Sequence, residues 1–211
     1  MSQGERIAVI GAGGHAKVVL GTLQAVGMPV AAIFDDNPAT WGMEILGIPV
    51  VGAVHRLVEE GYQQAVIAIG DNATRRRMAM EFQAIQWVTV IHPNAWIHPS
   101  VQIGEGTVVF AGAVIQPEAR VGNHVIINTG ATVDHECIVH NYAHIAPGVH
   151  LAGRVEIGEG AFVGIGSSVI QCRKVGAWAV VGAGAAVVRD IPGGVTAVGV
   201  PARVIKSHPM P

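Results

Sequence analysis

Two rhythms of apolar residues divide the chain. Up to about residue 91, short aliphatic runs alternate with stretches of helical spacing. From Ile91 onward a large aliphatic recurs at every sixth position without a miss, through Ile97, Ile103, Val109, Ile115 and Val121 to Val181 and Val187. Four places after each stands a mostly small residue, such as Ala113, Ala131, Cys137, Ala143, Ala161 or Ser167, and Gly or Asn often follows directly, as at Gly104, Gly122 and Asn128. Six residues are not a whole number of helical turns, so a period held this long predicts a solenoid rather than an amphipathic helix. Three six-residue sides would make a coil of eighteen. The repeat is expected to run to about Asp190, where Ile191, Pro192, Gly193 and Gly194 break it and leave a short tail, VTAVGVPARVIK.

Ahead of the repeat, the pattern predicts strands over residues 5–10, 29–34, 48–51, 64–69 and 87–91, and helices over 14–26, 55–60 and 73–85, with 37–47 as loop. Glu5 flanks the first strand, and the last helix carries Arg75, Arg76 and Arg77. Alternation of this kind argues for a small parallel α/β layer. The expected domains are therefore 1–91, the α/β layer, and 92–211, the solenoid with its tail. No linker composition separates them, so they should pack tightly.

At 211 residues, half of them hydrophobic, the chain has ample core for two modest domains. A formal net charge of −2 removes any broad electrostatic case for nucleic acid or an anionic membrane. The 28 glycines fall on the six-residue beat and in turns, so they mark corners rather than disorder. Cys137 occupies a small inward slot of its repeat and Cys172 has no partner motif, which argues against a disulfide or a metal role. The N-terminus, MSQGERIAVIGAGG, lacks the pattern of a secretory signal, and no stretch resembles a membrane span. A cytoplasmic protein is the expectation.

Chemistry gathers in two places. Gly11, Gly13 and Ala16 fit G-x-G-x-x-[GA] between a strand and a helix, with Gly14 and His15 inside the turn and Asp35 and Asp36 at the end of the next strand. Such glycines let a backbone approach a pyrophosphate at a helix N-terminus, and an acidic residue can accept ribose hydroxyls. The layer is about half the size of a dinucleotide domain, so a single nucleotide diphosphate carrying a sugar fits better than NAD. Asp71 and Asn72 fall on the same carboxyl edge, Asp71 either as a ligand contact or as a helix N-cap. The second place is INTGATVDHECIVHNYAHIAPGVHLAG, residues 127–153, where His135 is followed by Glu136 and lies nine residues before His144. A base beside a carboxylate is held in one tautomer, as proton abstraction from an amine or alcohol needs. The alternative is a surface pair in a corner loop. Nine residues is half a coil, so His135 and His144 would meet only if prisms pack side by side. His98, His124 and His150 read as surface histidines.

The six-residue beat resembles the left-handed β-helix of hexapeptide-repeat acyltransferases. The chain from GAGGHA through NTGATVDHEC and AHIAPG to VGVPARV is similar to the bacterial nucleotide-sugar acetyltransferases related to sialic acid O-acetyltransferases, which include enzymes for UDP-4-amino-sugars and GDP-perosamine. The resemblance implies an acetyl-CoA-dependent N-acetyltransferase without a metal, assembled as a homotrimer with active sites between prisms. By the same resemblance His135 is the general base and Glu136 orients it. Asn128 and His144 belong to one pocket, with His144 toward the thioester, and the Gly153 amide faces the oxyanion. His15 with Gly11 to Gly14 holds the nucleotide sugar, Asp35 and Asp36 lie near its base or ribose, and Arg203 meets a coenzyme A phosphate. Because the beat is unbroken through the site, the sugar-side wall is expected to come from the nucleotide layer of a neighbouring subunit. The rivals are an O-acetyltransferase for sialic acid, a γ-type carbonic anhydrase using His135 and His140, and a non-enzymatic scaffold or nucleotide sensor.

Overall fold

A computed structural model describes residues 6–211; Glu5, expected beside the first strand, lies outside them. Strands β1 (Ile7–Ile10), β2 (Val30–Phe34), β4 (Ile48–Gly52), β5 (Gln64–Ile67) and β6 (Gln86–Trp87) form a parallel sheet, extended at one edge by the antiparallel β3 (Glu44–Ile45). The order is β3-β4-β2-β1-β5-β6, so the chain leaves β1 in one direction and returns on its other side at β5. That reversal opens a crevice at the carboxyl end of β1, where open α/β sheets bind ligands. Helices α1 (Gly14–Ala25), α2 (Arg56–Glu59) and α3 (Asn72–Glu81) make the connections.

The expected last strand over 87–91 divides in two. Trp87 pairs within the layer, whereas Val90–Ile91 pairs with Val108–Val109 and is already the first rung of the solenoid. The changeover therefore comes at Val88 and Thr89, a few residues before His92.

The solenoid is a three-faced prism of two-residue rungs, each rung pairing in parallel with the one eighteen residues on. One face runs through Val108–Val109, Ile126–Ile127, His144–Ile145, Phe162–Val163 and Val180–Val181; a second through Thr132–Val133 and His150–Leu151; the third through Arg120–Val121, Ile138–Val139 and Glu156–Ile157. The second residue of each rung points inward and is buried from Val109 to Val187, with the small residues Ala113, Ala131, Cys137, Ala143, Ala161 and Ser167 filling the corners between faces. Burial pushes the Cys137 thiol up to about 11, as expected of an inert core cysteine. Every sixth residue from Gly106 to Gly184 has a positive φ, and the corners where it is not glycine include His124, Glu136, Tyr142, Arg154 and Trp178. The tail is structured: Val195–Val198 continues the first face and Arg203–Ser207 pairs antiparallel with it.

The α/β layer packs on the first face of its own prism. Val19, Leu20 and Leu23 of α1 share a buried cluster with Val90, Val108, Phe110 and Ile126. The outward residues of the lower rungs are thereby apolar and hidden, which explains the paired Val108–Val109 and Ile126–Ile127. His124, read from the sequence as a surface histidine, is only 3% exposed. Its ring stacks on Tyr142 and meets the Trp87 ring edge-on, so the layer covers this corner.

Candidate active site

The glycine loop is shaped by contacts rather than by sequence fashion. Gly11 has φ +108, and a Cβ there would sit 2.9 Å from Cγ1 of Ile69 and 3.0 Å from the Ala68 carbonyl oxygen, so only glycine fits between β1 and the end of β5. Gly13 and Gly14 face open space. Gly13 caps α1 without a side-chain hydrogen bond, leaving the helix N-terminus free to receive an anion. Asp35 braces the loop: Oδ2 accepts from the Ala12 N–H at 2.6 Å and Oδ1 from the Asn37 N–H at 2.8 Å. Asp36 accepts from the Val54 N–H. Gly11, Asp35 and Asp36 line a small cleft of about 190 Å³ together with Arg77.

From this loop His15 reaches the prism of its own chain. Its ring lies 5.5 Å edge-on from Phe110 and 6.2 Å from His144, and Nε2 is buried without a partner. The glycine loop and α1 thus pack against the first face of the same chain's prism. His144, 8% exposed, continues the cluster to Phe162 at 5.1 Å. Asn128 fixes the protonation of His144. Its Oδ1 accepts from the Thr129 N–H at 2.8 Å, so its amide nitrogen is the atom 3.1 Å from His144 Nε2 and must donate there. The His144 proton then resides on Nδ1, toward the Gly70 backbone, although no hydrogen bond of good geometry forms. Burial first and the Arg75 charge second lower His15 to about 4 and His144 to about 3, with His15 adding to the depression at His144, so both rings are neutral near pH 7.

His135 and Glu136 occupy the corner between the second and third faces, across the prism from the first face that carries His144. The His135 side chain is 53% exposed, and Nδ1 lies 2.9 Å from Glu136 Oε2. That same oxygen accepts from Arg154 Nε at 3.0 Å. The bonds from Arg154 and from His135 hold the Glu136 carboxyl below the usual carboxylate range, so it remains an acceptor and keeps the His135 proton on Nδ1. Nε2 is then the basic nitrogen. It lies directly over Gly153, where a Cβ would stand 2.6 Å from Cε1 and closer still to Nε2. Among the described residues the Gly153 N–H has no acceptor. A proton acceptor and a free backbone donor thus adjoin.

Three other expected residues have different surroundings. Asp71 is the N-cap of α3, accepting from the Thr74 N–H at 2.8 Å. Asn72 starts α3 and borders an apolar cleft. It is buried with its amide committed to the Gly160 and Ala161 carbonyls and to Arg75. Arg203 lies on the exposed final strand beyond the last rung of the first face, donating only to the Ala202 carbonyl. Sequence reasoning missed Arg75, 1% exposed, which read as one of three basic residues on a helix. Its only signal is position, three residues after Asn72. The apolar cleft, of about 360 Å³, lies between Gly70–Ala73, the outward residues Phe162, Trp178 and Val180, and the tail residues His208, Pro209 and Pro211; Phe162 is the rung partner of His144.

Residues 6–82 match the family model described as the PglD N-terminal domain. A mutant of perosamine N-acetyltransferase from Caulobacter crescentus, solved with CoA and GDP-perosamine, is 43% identical and superposes with a TM-score of 0.91 over 95% of this chain and 97% of that one. The chain belongs to the hexapeptide-repeat nucleotide-sugar N-acetyltransferases. The acetyltransferase domain of PglB from Neisseria gonorrhoeae FA1090, solved with acetyl coenzyme A, is 39% identical with a TM-score of 0.89 over 96% of this chain and all of that one. The prism is therefore the left-handed parallel β-helix expected of the family. UDP-N-acetylbacillosamine N-acetyltransferase from Bacillus subtilis is 43% identical over 111 residues, 49% of this chain and 50% of that protein. The chain spans half or less of the length of the curated relatives it matches, the other being the uncharacterised protein L142 of Acanthamoeba polyphaga mimivirus at 20%. Among the described residues no cluster could hold a metal ion, and His140 is instead paired with Glu156 at 3.3 Å. No helix in them is long and apolar enough to cross a membrane.

Proposed function

We propose that this protein transfers the acetyl group of acetyl-CoA to the amine of a nucleotide-linked deoxyamino sugar, in sites formed between the prisms of a homotrimer. The observation that carries the reading is the division of the machinery. His135, Glu136 and Gly153 lie at one corner, while His15, Asn128 and His144 lie on the opposite face, so a complete site needs both surfaces from adjacent chains. The uncapped start of α1 beside Gly13 and Gly14 suits a diphosphate, and Asp35 and Asp36 line the crevice that would take the nucleoside. The cleft along Phe162, Trp178 and Val180 supports a pantetheine arm leading to His144, with Arg203 toward the phosphates.

In this reading the neutral amine of the sugar attacks the thioester carbonyl. His135 Nε2 takes the proton that nitrogen must lose, Glu136 stabilises the imidazolium, and the Gly153 N–H donates to the tetrahedral oxyanion. Collapse expels the coenzyme A thiolate, which recovers the proton from His135, leaving an amide and free thiol. The inward Cys137 and the distant Cys172 take no part, so no acyl-enzyme forms. The working compartment is the cytoplasm and the product feeds a surface glycan. Free thiol release measured against a panel of UDP- and GDP-amino-sugars and free sialic acid tests the function: turnover with a nucleotide amino sugar is expected. His135→Ala should lower kcat by about 10²–10⁴-fold with nucleotide-sugar affinity retained. Turnover of sialic acid alone, or full activity in the variant, would contradict it.

A further inference from the structure

Among the described residues Arg75 is the only fully buried ionised side chain, and no carboxylate hydrogen-bonds to it. Its donors are spent on backbone carbonyls from both domains. Nε donates to His124 at 2.8 Å and Nη2 to Tyr142 at 2.7 Å, two corners eighteen residues apart on successive coils. Nη2 also approaches the Ala143 carbonyl, one residue before His144. Nη1 donates to the Ile69 carbonyl at 3.0 Å and leans toward Gly70. Nη2 is steadied by Asn72 Oδ1 at 2.8 Å, and Asn72 in turn donates to Gly160 and Ala161 on the third successive coil.

Those partners connect to the His15 loop on the sugar side and to His144 on the acetyl-donor side of the site. Ile69 is the residue against which Gly11 packs, so the Nη1 bond supports the loop carrying His15. The Tyr142 and Ala143 bonds hold the backbone that enters His144. A buried guanidinium costs several kcal/mol of desolvation, and apolar side chains would join two domains with less cost. A planar fork with fixed donor directions instead sets a distance and an angle.

We propose that Arg75, with Asn72, is a positioning pair that sets the gap between the His15 loop and His144, and so where the sugar amine stands relative to the acetyl donor. The inference rests on the acetyltransferase reading above. Neither residue touches the reacting atoms; both act through backbone they hold.

Arg75→Lys keeps the charge and loses the fork, while Asn72→Ala keeps Arg75 and releases the third coil. Initial rates of thiol release, varied separately in nucleotide amino sugar and acetyl-CoA, are expected to show the sugar KM raised about tenfold or more in Arg75→Lys and a few-fold in Asn72→Ala, with the acetyl-CoA KM raised as well because His144 stands at the donor end of the cleft. Crystal structures of the ligand-free variants should show the His15–His144 centroid separation displaced from 6.2 Å. Should Arg75→Lys fail to fold, Asn72→Ala alone decides. Variants that melt earlier yet keep the wild-type sugar KM and ring separation would overturn the proposal and leave Arg75 a purely structural tie. A wild-type protein that acetylates no nucleotide amino sugar would refute the function, and the ring separation would still decide the positioning.

Discussion

Gly153→Ala separates the place of His135 from the stability of the fold. Gly153 does not have a positive φ, so alanine accepts its backbone without strain. The new Cβ would lie 2.6 Å from Cε1 of His135 and nearer still to Nε2. Ordinary carbon contact begins near 3.5 Å, so the imidazole must withdraw by roughly 1 Å. It is half exposed and free to do so, but the swing draws Nδ1 away from its 2.9 Å contact with Glu136. The stability cost should stay within about 0.5 kcal/mol, as for other surface changes. A base misplaced by that much should cost about 10²-fold in kcat. Thiol release and thermal melting on the same samples read both quantities. A variant whose crystal structure shows the ring displaced, and whose kcat stays within twofold of wild type, would refute His135 as the base.

Two further outcomes follow from burial. His15, His124 and His144 are held neutral, at about 4, 4 and 3 against the usual 6.5, chiefly by burial. The unfolded chain therefore binds more protons below pH 6.5, and the stability these rings contribute is present above that pH and lost as pH falls toward 3–4. The slope is up to about 1.4 kcal/mol per pH unit for each histidine. Urea midpoints should fall between pH 7.5 and pH 5, and equal midpoints would show the rings titrate freely. Leu151→Ala, at a position 1% exposed inside the prism, should cost about 2–5 kcal/mol in a denaturant titration, and a loss below 1 kcal/mol would contradict the inward register.

The prism was legible because its physics repeats: an aliphatic at every sixth place from Ile91 to Val187 without an exception, and a mostly small corner residue four places after it. The glycine loop was legible from its motif between strand and helix, and Gly11 answers the positive φ that the turn requires there. What escaped depends on long-range packing. His124 occupies a corner, outside the inward and outward alternation of the rungs, and it is buried between Tyr142, which stacks on it, and Trp87 of the layer. Asn72 and Arg75 look like ordinary helix residues until the prism carbonyls of His124, Tyr142 and Gly160 arrive beside them. Half-coil spacing separated His135 from His144 correctly, but no spacing rule could say that His15 folds back onto the His144 face of its own chain. Asp71 caps α3 through the Thr74 N–H and also borders the cleft beside Phe162.

The central claim, a site shared between chains, is tested most directly by mixing two dead variants. His135→Ala retains the His15, Asn128 and His144 surface, and His144→Ala retains the His135, Glu136 and Gly153 corner. Neither homotrimer should turn over a nucleotide amino sugar. Co-expressed at equal levels, they should recover about a quarter of wild-type activity, the share of interfaces in a random ring that pair the two intact surfaces. Mixed protein that forms heterotrimers and stays as inactive as its parents would contradict the account, because each chain would then hold its own complete site.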